Sequence, residues 1–192
     1  MIKTKSRASL AFVFVTILFF MGACAEFLPY RYQNVYRMTG PTVSSEKYFA
    51  DENIEALFWI DAKKIHFQIK NRTDEDITID WGKAAFINVD QLRHKLANKD
   101  SIFSTKQTNP DPTTLAPGAS LVDFVAPIAN VKKLEEWTWY VYPLFNLMDK
   151  DALKNRGNEI GIDLPIKIKG EWKTYMFRFV VSNVIPSLQR AN

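Results

Sequence analysis

The sequence is poor in cysteine. Cys24 is the single cysteine among 192 residues, so no disulfide can form within the chain. A domain without disulfides must be stabilised by its hydrophobic core. The chain carries 14 Phe, 5 Trp and 7 Tyr, and burial of apolar surface contributes about 25 cal/mol per Å². We therefore expect a fold that is held together by an aromatic core.

Residues typical of catalytic and metal sites are also scarce. His66 and His94 are the two histidines, and no zinc-protease, nucleophile-elbow or phosphate-loop motif is present. His66 falls on the polar side of an alternating segment and His94 in the basic run "LRHK", so both are predicted to be solvated. The acidic run "TDED" (73–76) does not have calcium-loop spacing. We expect no cofactor, no metal and no enzymatic activity.

The charges of the chain are nearly balanced. Of 25 basic residues, three lie in the first seven positions, so 22 basic residues remain against 21 acidic ones. A nucleic-acid-binding domain usually carries a marked basic excess on one face. The balance therefore favours no nucleic-acid partner.

The N-terminal segment has the layout of a secretory signal. Lys3, Lys5 and Arg7 form a basic head, and residues 8–21 are apolar apart from Ser9 and Thr16. The stretch is a little shorter than the about 20 apolar residues that a transmembrane helix needs. We therefore expect the segment to be cleaved.

Cys24 lies at the predicted cleavage site. In "MGAC" (21–24) small residues directly precede the cysteine, which resembles the lipobox of bacterial lipoproteins. The resemblance implies that residues 1–23 are a lipoprotein signal peptide and that Cys24 becomes the lipid-bearing first residue. An ordinary A-x-A cleavage after Ala25, in "ACAE", is the alternative.

A lipid at Cys24 would make the membrane the first partner of the protein. A single acyl chain binds a bilayer reversibly, whereas the several chains of a lipoprotein anchor it durably. The expected location is the cell envelope, on the bacterial outer membrane or its periplasmic face, where an envelope protein is the expected second partner.

Two pairs of alternating segments predict hairpins. "KIHFQIKN" (64–71) and "ITIDW" (77–81) alternate apolar and polar residues around the turn-forming "RTDED". A longer pair covers residues 160–168 and 175–181, with a turn at Gly170. "IEALFWID" (54–61) is apolar on both sides, which predicts a strand that is central in its sheet or covered on both faces.

Shorter signals complete the pattern. Weaker strands are predicted at "FINVD" (86–90) and "QLRHKL" (91–96), and another follows a Pro117-Gly118 turn. "WTWYVYPLF" (137–145) adds a strand, and helix is expected only around residues 147–154. These signals predict one all-β domain over residues 24–192, an antiparallel β-sandwich with a long loop near residues 97–119.

One stretch resembles a known family. "FQIKNRTDEDITIDWGKAAFINVD" (67–90) is similar to the immunoglobulin-like domains of bacterial surface lipoproteins, in which a strand, an Asn-x-Thr-Asp turn and a strand ending in Trp recur. The resemblance implies an immunoglobulin-like sandwich on the cell envelope. A sandwich fold carries no activity by itself.

Two segments are candidates for recognition, an aromatic run and the polar segment 97–119. In "WTWYVYPLF" (137–145) the side chains of Trp137, Trp139 and Val141 alternate with Tyr140 and Tyr142. If the first set packs inward, the tyrosines face outward and can bind a ligand. The alternative is that both sides of the strand are covered. The polar segment 97–119 is either a functional loop or disordered.

These observations favour a lipid-anchored structural or protein-binding module of the cell envelope. A carbohydrate-binding or small-ligand-binding sandwich is the alternative, and an exposed aromatic platform beside a groove would favour it. An enzyme is the least supported of the three classes.

The role of Cys24 can be tested directly. Cys24→Ala should release the protein from the membrane or leave an unprocessed precursor, because the acylated residue is lost. The intact mass of the mature wild-type protein checks this expectation. A mature chain that begins at Glu26 without added acyl mass would exclude the lipoprotein assignment.

Overall fold

Antiparallel strands make up most of the structure. A computed structural model of the protein describes residues 30–102, 110–135 and 138–187, of which Tyr30–Ser187 form one compact unit. The predicted signal peptide and Cys24 lie outside the described residues. The strands are β1 (Tyr32–Gly40), β2 (Tyr48–Ala50), β3 (Ile54–Ile60), β4 (Ile65–Asn71), β5 (Ile77–Ile79), β6 (Ala85–Ile87), β7 (Arg93–His94), β8 (Leu96–Asn98), β9 (Thr113–Leu115), β10 (Ser120–Pro127), β11 (Val131–Glu135), β12 (Thr138–Val141), β13 (Glu159–Ile168) and β14 (Glu171–Pro186).

Helical structure is confined to short pieces in the described ranges. They are α1 (Lys99–Ile102) and two 3₁₀ helices, Ile128–Asn130 and Lys150–Asn155. The second 3₁₀ helix falls where the sequence predicts helix. Asp149 caps it, since its side chain accepts a hydrogen bond from the Asp151 backbone N–H at 2.9 Å.

The strands form two large sheets and one hairpin. The first sheet has the order β1-β14-β13-β5-β9. In the same sheet, β6 pairs with β13 on one side and with β7 on the other. The second sheet has the order β2-β3-β4-β10-β8. Strands β11 and β12 form a separate hairpin. All of these pairings are antiparallel.

Aromatic side chains join the two sheets. The ring of Phe58 on β3 lies 4.5 Å from that of Phe177 and 5.0 Å from that of Phe179, both on β14. These rings belong to one continuous core to which both sheets contribute. The prediction of an all-β antiparallel fold is confirmed, and two sheets that share one core are consistent with the predicted β-sandwich.

The C-terminal hairpin is confirmed in detail. Strands β13 and β14 pair continuously from Glu159 opposite Val180 to Ile168 opposite Glu171. The turn between them places Lys169 at φ 49° and Gly170 at φ 83°. Two consecutive positive φ angles are the signature of the type I′ turn, whose twist matches that of the flanking strands.

The prediction that residues 64–71 and 77–81 form a hairpin is wrong. Strand β4 pairs with β3 and β10 in the second sheet, whereas β5 pairs with β13 and β9 in the first. The turn between β4 and β5 therefore crosses from one sheet to the other. The buried Asn71 amide fixes this crossing, since its Nδ2 donates to the carbonyl oxygens of Glu75 and Leu115 and its Oδ1 accepts from the Thr73 N–H.

Of the two alternatives predicted for β3, the structure shows a central strand and not one that is covered on both faces. The strand lies between β2 and β4, as expected for a central strand. Its inner side chains are buried, but Leu57 and Trp59 on the outer side are 43% and 42% exposed. The reason is that sequence alternation does not tell whether a second apolar face is packed or exposed.

The predicted loop 97–119 contains regular structure at both ends. Its start includes the end of β8 and all of α1, and its later part includes β9. The turn before β10 has the predicted type II form, because Gly118 has φ 72° and the Ala119 N–H donates to the Ala116 carbonyl. Residues 103–109 lie outside the described ranges.

Phe67 tests the packing of the core. Phe67→Ala should lower the free energy of unfolding by about 3–5 kcal/mol, because the side chain is fully buried between Phe58 and Trp81. Chemical denaturation measures the change. Gln68→Ala, on the exposed side of the same strand, should have almost no effect. A loss below about 1 kcal/mol for Phe67→Ala would contradict the assigned face.

Candidate functional site

Tyr140 lies near the end of β12, the second strand of the β11–β12 hairpin, and Tyr142 directly follows this strand. Tyr142 is 40% exposed and Tyr140 is half-buried. Their rings meet edge to face, with centroids 4.9 Å apart. On the other side of the strand, Val141 is buried and Trp139 packs beside it in a small cluster. Trp137 lies outside the described residues.

One lysine lies over each of the two tyrosine rings. Lys63 Nζ lies 4.4 Å from the centre of the Tyr140 ring, and Lys132 Nζ lies 5.0 Å from that of Tyr142. Both distances fall within the range of cation–π attraction. Tyr30 is also a neighbour: burial, with a further contribution from Tyr140, raises the pKa of Tyr30 to about 12.

A second set of aromatic side chains lies on the outer side of the second sheet. Trp59 on β3 is opposite His66 on β4, which is opposite Phe124 on β10. The rings of Trp59 and His66 stack with centroids 5.3 Å apart, and the Phe124 ring meets His66 at 5.7 Å. The three residues form one row across three neighbouring strands.

Aliphatic side chains extend this row. Leu57 and Val122 both lie opposite Gln68, and Tyr48 on β2 lies opposite Leu57. We call this surface the outer aromatic face, and it comprises Tyr48, Leu57, Trp59, His66, Val122 and Phe124. Four of its members are between 41% and 58% exposed: Tyr48, Leu57, Trp59 and Val122. Single exposed apolar residues are ordinary, but a contiguous exposed set marks a candidate interaction surface.

Asp61 fixes the orientation of the His66 ring. Its Oδ2 lies 2.8 Å from His66 Nε2, and its Oδ1 accepts from the backbone N–H groups of Lys63 and Lys64. Burial raises the pKa of Asp61, but these hydrogen bonds outweigh it, so the pKa lies below its usual value. Lys64 Nζ in turn lies 3.8 Å above the Phe124 ring. His66 is thus packed and paired, not simply solvated as predicted.

The other predicted surface histidine is also partly enclosed. His94 Nε2 is buried and has no hydrogen-bond partner among the described residues. It lines a cavity of about 220 Å³ together with Phe86, Pro127 and Leu144. The basic run "LRHK" gave no sign of this position.

A cleft of about 480 Å³ opens beside the start of β14. Its polar lining includes Asp51 and Lys173, and Phe49, Tyr175 and Met176 supply apolar surface. Asp51 Oδ2 accepts from Lys173 Nζ at 2.9 Å and from the Tyr175 hydroxyl at 2.8 Å. Because these groups bind one another, they stabilise the fold and leave little hydrogen-bonding capacity for a ligand.

An ion cluster lies on the outer side of the first sheet. The buried carboxylate of Asp163 pairs with Arg93 from β7 and with Arg178 from β14, the latter at 2.8 Å. Gly161 makes the second pair possible, because a Cβ there would lie 2.8 Å from Arg178 Cδ and 2.3 Å from the Phe177 carbonyl oxygen. The cluster ties β7, β13 and β14 of the first sheet together, which is a structural role.

Comparison with known proteins gives no family for this chain. No protein-family model matches it, and no curated protein or solved structure does so either. In the described ranges, no helix is long and apolar enough to cross a membrane. Nor do three or more His, Cys, Asp or Glu side chains of these ranges come together as a metal site would require. The function has to be inferred from the two aromatic surfaces.

Sequence reasoning identified one of these surfaces and missed the other. Tyr140 and Tyr142 follow from alternation along a single strand. Trp59, His66 and Phe124 come from three strands, and their alignment depends on the register of the sheet. The apolar residues on both sides of "IEALFWID" were the available signal, but they fit a covered face equally well.

The hydrogen bonds of Asp51 with Lys173 and Tyr175 in the cleft can be tested by mutation. Burial raises its pKa, but hydrogen bonds from the Ile54 N–H, Lys173, the Asn53 N–H and Tyr175 outweigh this effect, so its pKa is lowered. A lowered pKa contributes stability that is present above the unfolded value of about 3.9 and is lost as the pH falls through the folded value. Asp51→Asn should therefore cost about 1–3 kcal/mol at neutral pH and reduce the loss of stability on acidification.

Denaturation at a series of pH values measures both effects. Glu52→Gln is the matched control, because the neighbouring Glu52 side chain is 78% exposed. It should change neither the stability nor its pH dependence appreciably. Equal acid sensitivity of wild type and Asp51→Asn would contradict the assigned network.

Proposed function

We propose that this protein is a lipoprotein of the bacterial cell envelope whose folded domain is a protein-binding module. The signal-like N-terminus and the small residues before Cys24 support removal of residues 1–23 and acylation of Cys24. The two antiparallel sheets share one core, and the chain crosses between them several times, after β1, β4, β7, β8 and β9. This arrangement supports an immunoglobulin-like sandwich.

The outer aromatic face is the observation that carries the binding role. It presents aromatic and aliphatic side chains side by side on one sheet, and four of them are substantially exposed. Binding energy at protein interfaces concentrates in such apolar and aromatic anchors, above all Trp and Tyr. Trp59 is the central candidate, because it is exposed and its orientation is fixed by the stack with His66 and the His66–Asp61 pair.

A protein fits this face better than a carbohydrate does. A sugar stacks on an open aromatic ring, but one side of the Trp59 ring is already occupied by His66. Leu57 and Val122 offer aliphatic contacts, which suit the apolar side chains of a protein. The carbohydrate or small-ligand alternative is therefore the second candidate. The assignment of Tyr140 and Tyr142 to ligand binding stays a prediction.

Photo-crosslinking in the native envelope tests the proposal. The full chain carries a photoreactive phenylalanine analogue in place of Trp59 or, as a control, of Trp172, which is 49% exposed on the first sheet. We expect a discrete protein adduct at position 59 and none at position 172. An adduct of twice the chain mass would identify a second copy as the partner, and lack of any protein adduct at position 59 would contradict the proposal.

Affinity for the crosslinked partner gives a quantitative test. Trp59→Ala should weaken binding at least about thirtyfold, as expected for the loss of a central anchor, while Trp172→Ala should leave the affinity unchanged. Equal thermal unfolding of both variants excludes a folding defect. Tyr140→Ala decides whether the hairpin tyrosines also contact this partner. Undiminished binding of Trp59→Ala would remove the outer aromatic face as the site.

A further inference from the structure

The β11–β12 hairpin presents a surface of different character from the outer aromatic face. It combines the rings of Tyr140 and Tyr142 with Lys63 and Lys132, which lie over them. Leu134, near the other end of the hairpin, is 57% exposed. We call these five residues the hairpin patch. Tyr, Lys and a few aliphatic side chains are the residues that meet the boundary between lipid headgroups and acyl chains.

Backbone hydrogen bonds place the start of the folded chain beside this patch. The Arg31 N–H donates to the Leu147 carbonyl oxygen at 3.0 Å, five residues after Tyr142. The Leu144 N–H donates to the carbonyl oxygen of Ala62 at 2.8 Å, directly before Lys63. The segment 142–147 therefore connects the hairpin patch to the point where the chain enters the domain.

The length of chain before this point limits the distance to the anchor. Arg31 lies seven positions after Cys24, and even a fully extended chain of that length spans no more than about 25 Å. A lipid on Cys24 thus holds this edge of the domain close to the bilayer. The opposite end of β1 is farther away, because the strand from Tyr32 to Gly40 covers about 25 Å.

We infer that the hairpin patch contacts the headgroup region of the phospholipid bilayer in which Cys24 is anchored. This inference rests on the proposed acylation of Cys24. The acyl chains supply the affinity, and the patch determines which side of the domain faces the membrane. Lys63 and Lys132 can keep their stems along the tyrosine rings while their ammonium groups reach lipid phosphates.

The charges near the hairpin patch can orient a tethered domain on the membrane but are too few to bind a free domain to it. Asp61 is the nearby acid, and it is already engaged by His66 and by two backbone N–H groups. The two lysines alone give weak electrostatic attraction to anionic lipids, which is sufficient only for a protein that is already tethered.

Depth-dependent fluorescence quenching tests the inference. The acylated full chain is purified from membranes and reconstituted into vesicles of equal parts phosphatidylcholine and phosphatidylglycerol. Leu134→Cys places a fluorescent label on the hairpin patch. Met176→Cys is the control, because Met176 is 56% exposed and its carbonyl lies beside Gly40, at the far end of β1. Acylation blocks Cys24, so each variant carries one reactive thiol.

We expect a nitroxide-labelled headgroup lipid to cause loss of fluorescence at position 134 and none at position 176. Adding Tyr140→Ser and Tyr142→Ser to Leu134→Cys should reduce the loss, while the unfolding temperature, measured in parallel, shows that the domain is intact. Equal quenching at positions 134 and 176, or none at either, would overturn the inference for an acylated protein. An intact mass without acyl groups on Cys24 would overturn both the inference and the proposed anchoring.

Discussion

The contact of Phe58 with Phe177 and Phe179 joins the two sheets, and the positions of both aromatic surfaces depend on it. With one cysteine in the chain, no internal disulfide can hold the sheets together if this packing is lost. Strand β3 carries Phe58 on one side and Leu57 and Trp59 on the other. Because side chains alternate along a strand, the burial of Phe58 is also what turns Trp59 outward. A shift of one residue in β3 would bury the candidate site and expose the core.

The short turn between β3 and β4 links the two aromatic surfaces. Asp61 begins this turn and accepts hydrogen bonds from the backbone of Lys63 and Lys64. The same carboxylate holds the ring of His66 within the outer aromatic face. Lys63 then lies over Tyr140 of the hairpin, whereas Lys64 lies over Phe124 of the sheet. One acidic side chain therefore orients groups on both surfaces, although they have different proposed occupants.

The features that could be predicted from the sequence are those set by neighbouring residues. Strands β13 and β14 were predictable because alternation continues on both sides of a turn that Gly170 makes possible. The exchange of sheets between β4 and β5 was not, because both strands show the same alternation whichever sheet they join. It depends on Asn71, whose amide bonds to Leu115, a residue 44 positions away in the chain.

The same distinction applies to the candidate site. Tyr140 and Tyr142 are two residues apart on one strand, so their common side follows from period-two geometry alone. The row of Trp59, His66 and Phe124 requires the register of β3, β4 and β10, and Phe124 lies 58 positions after its partner His66. Trp59 stays exposed because α1 and the β11–β12 hairpin pack near β8, on Ala97 and Ala126, and not over β3. The sequence does not show where these elements pack.

The edge strands of the second sheet affect the tendency of a protein with such an exposed apolar face to aggregate. The edge strands β2 and β8 are three residues long each, and they flank the longer strands that carry most of the outer aromatic face. A long, flat edge would offer an extended row of unpaired amides to the same edge of another molecule, and an adjacent apolar face would favour stacking of the joined sheets. Edges this short offer few such groups. The protein can therefore present apolar side chains on this face with a low tendency to assemble into fibrils.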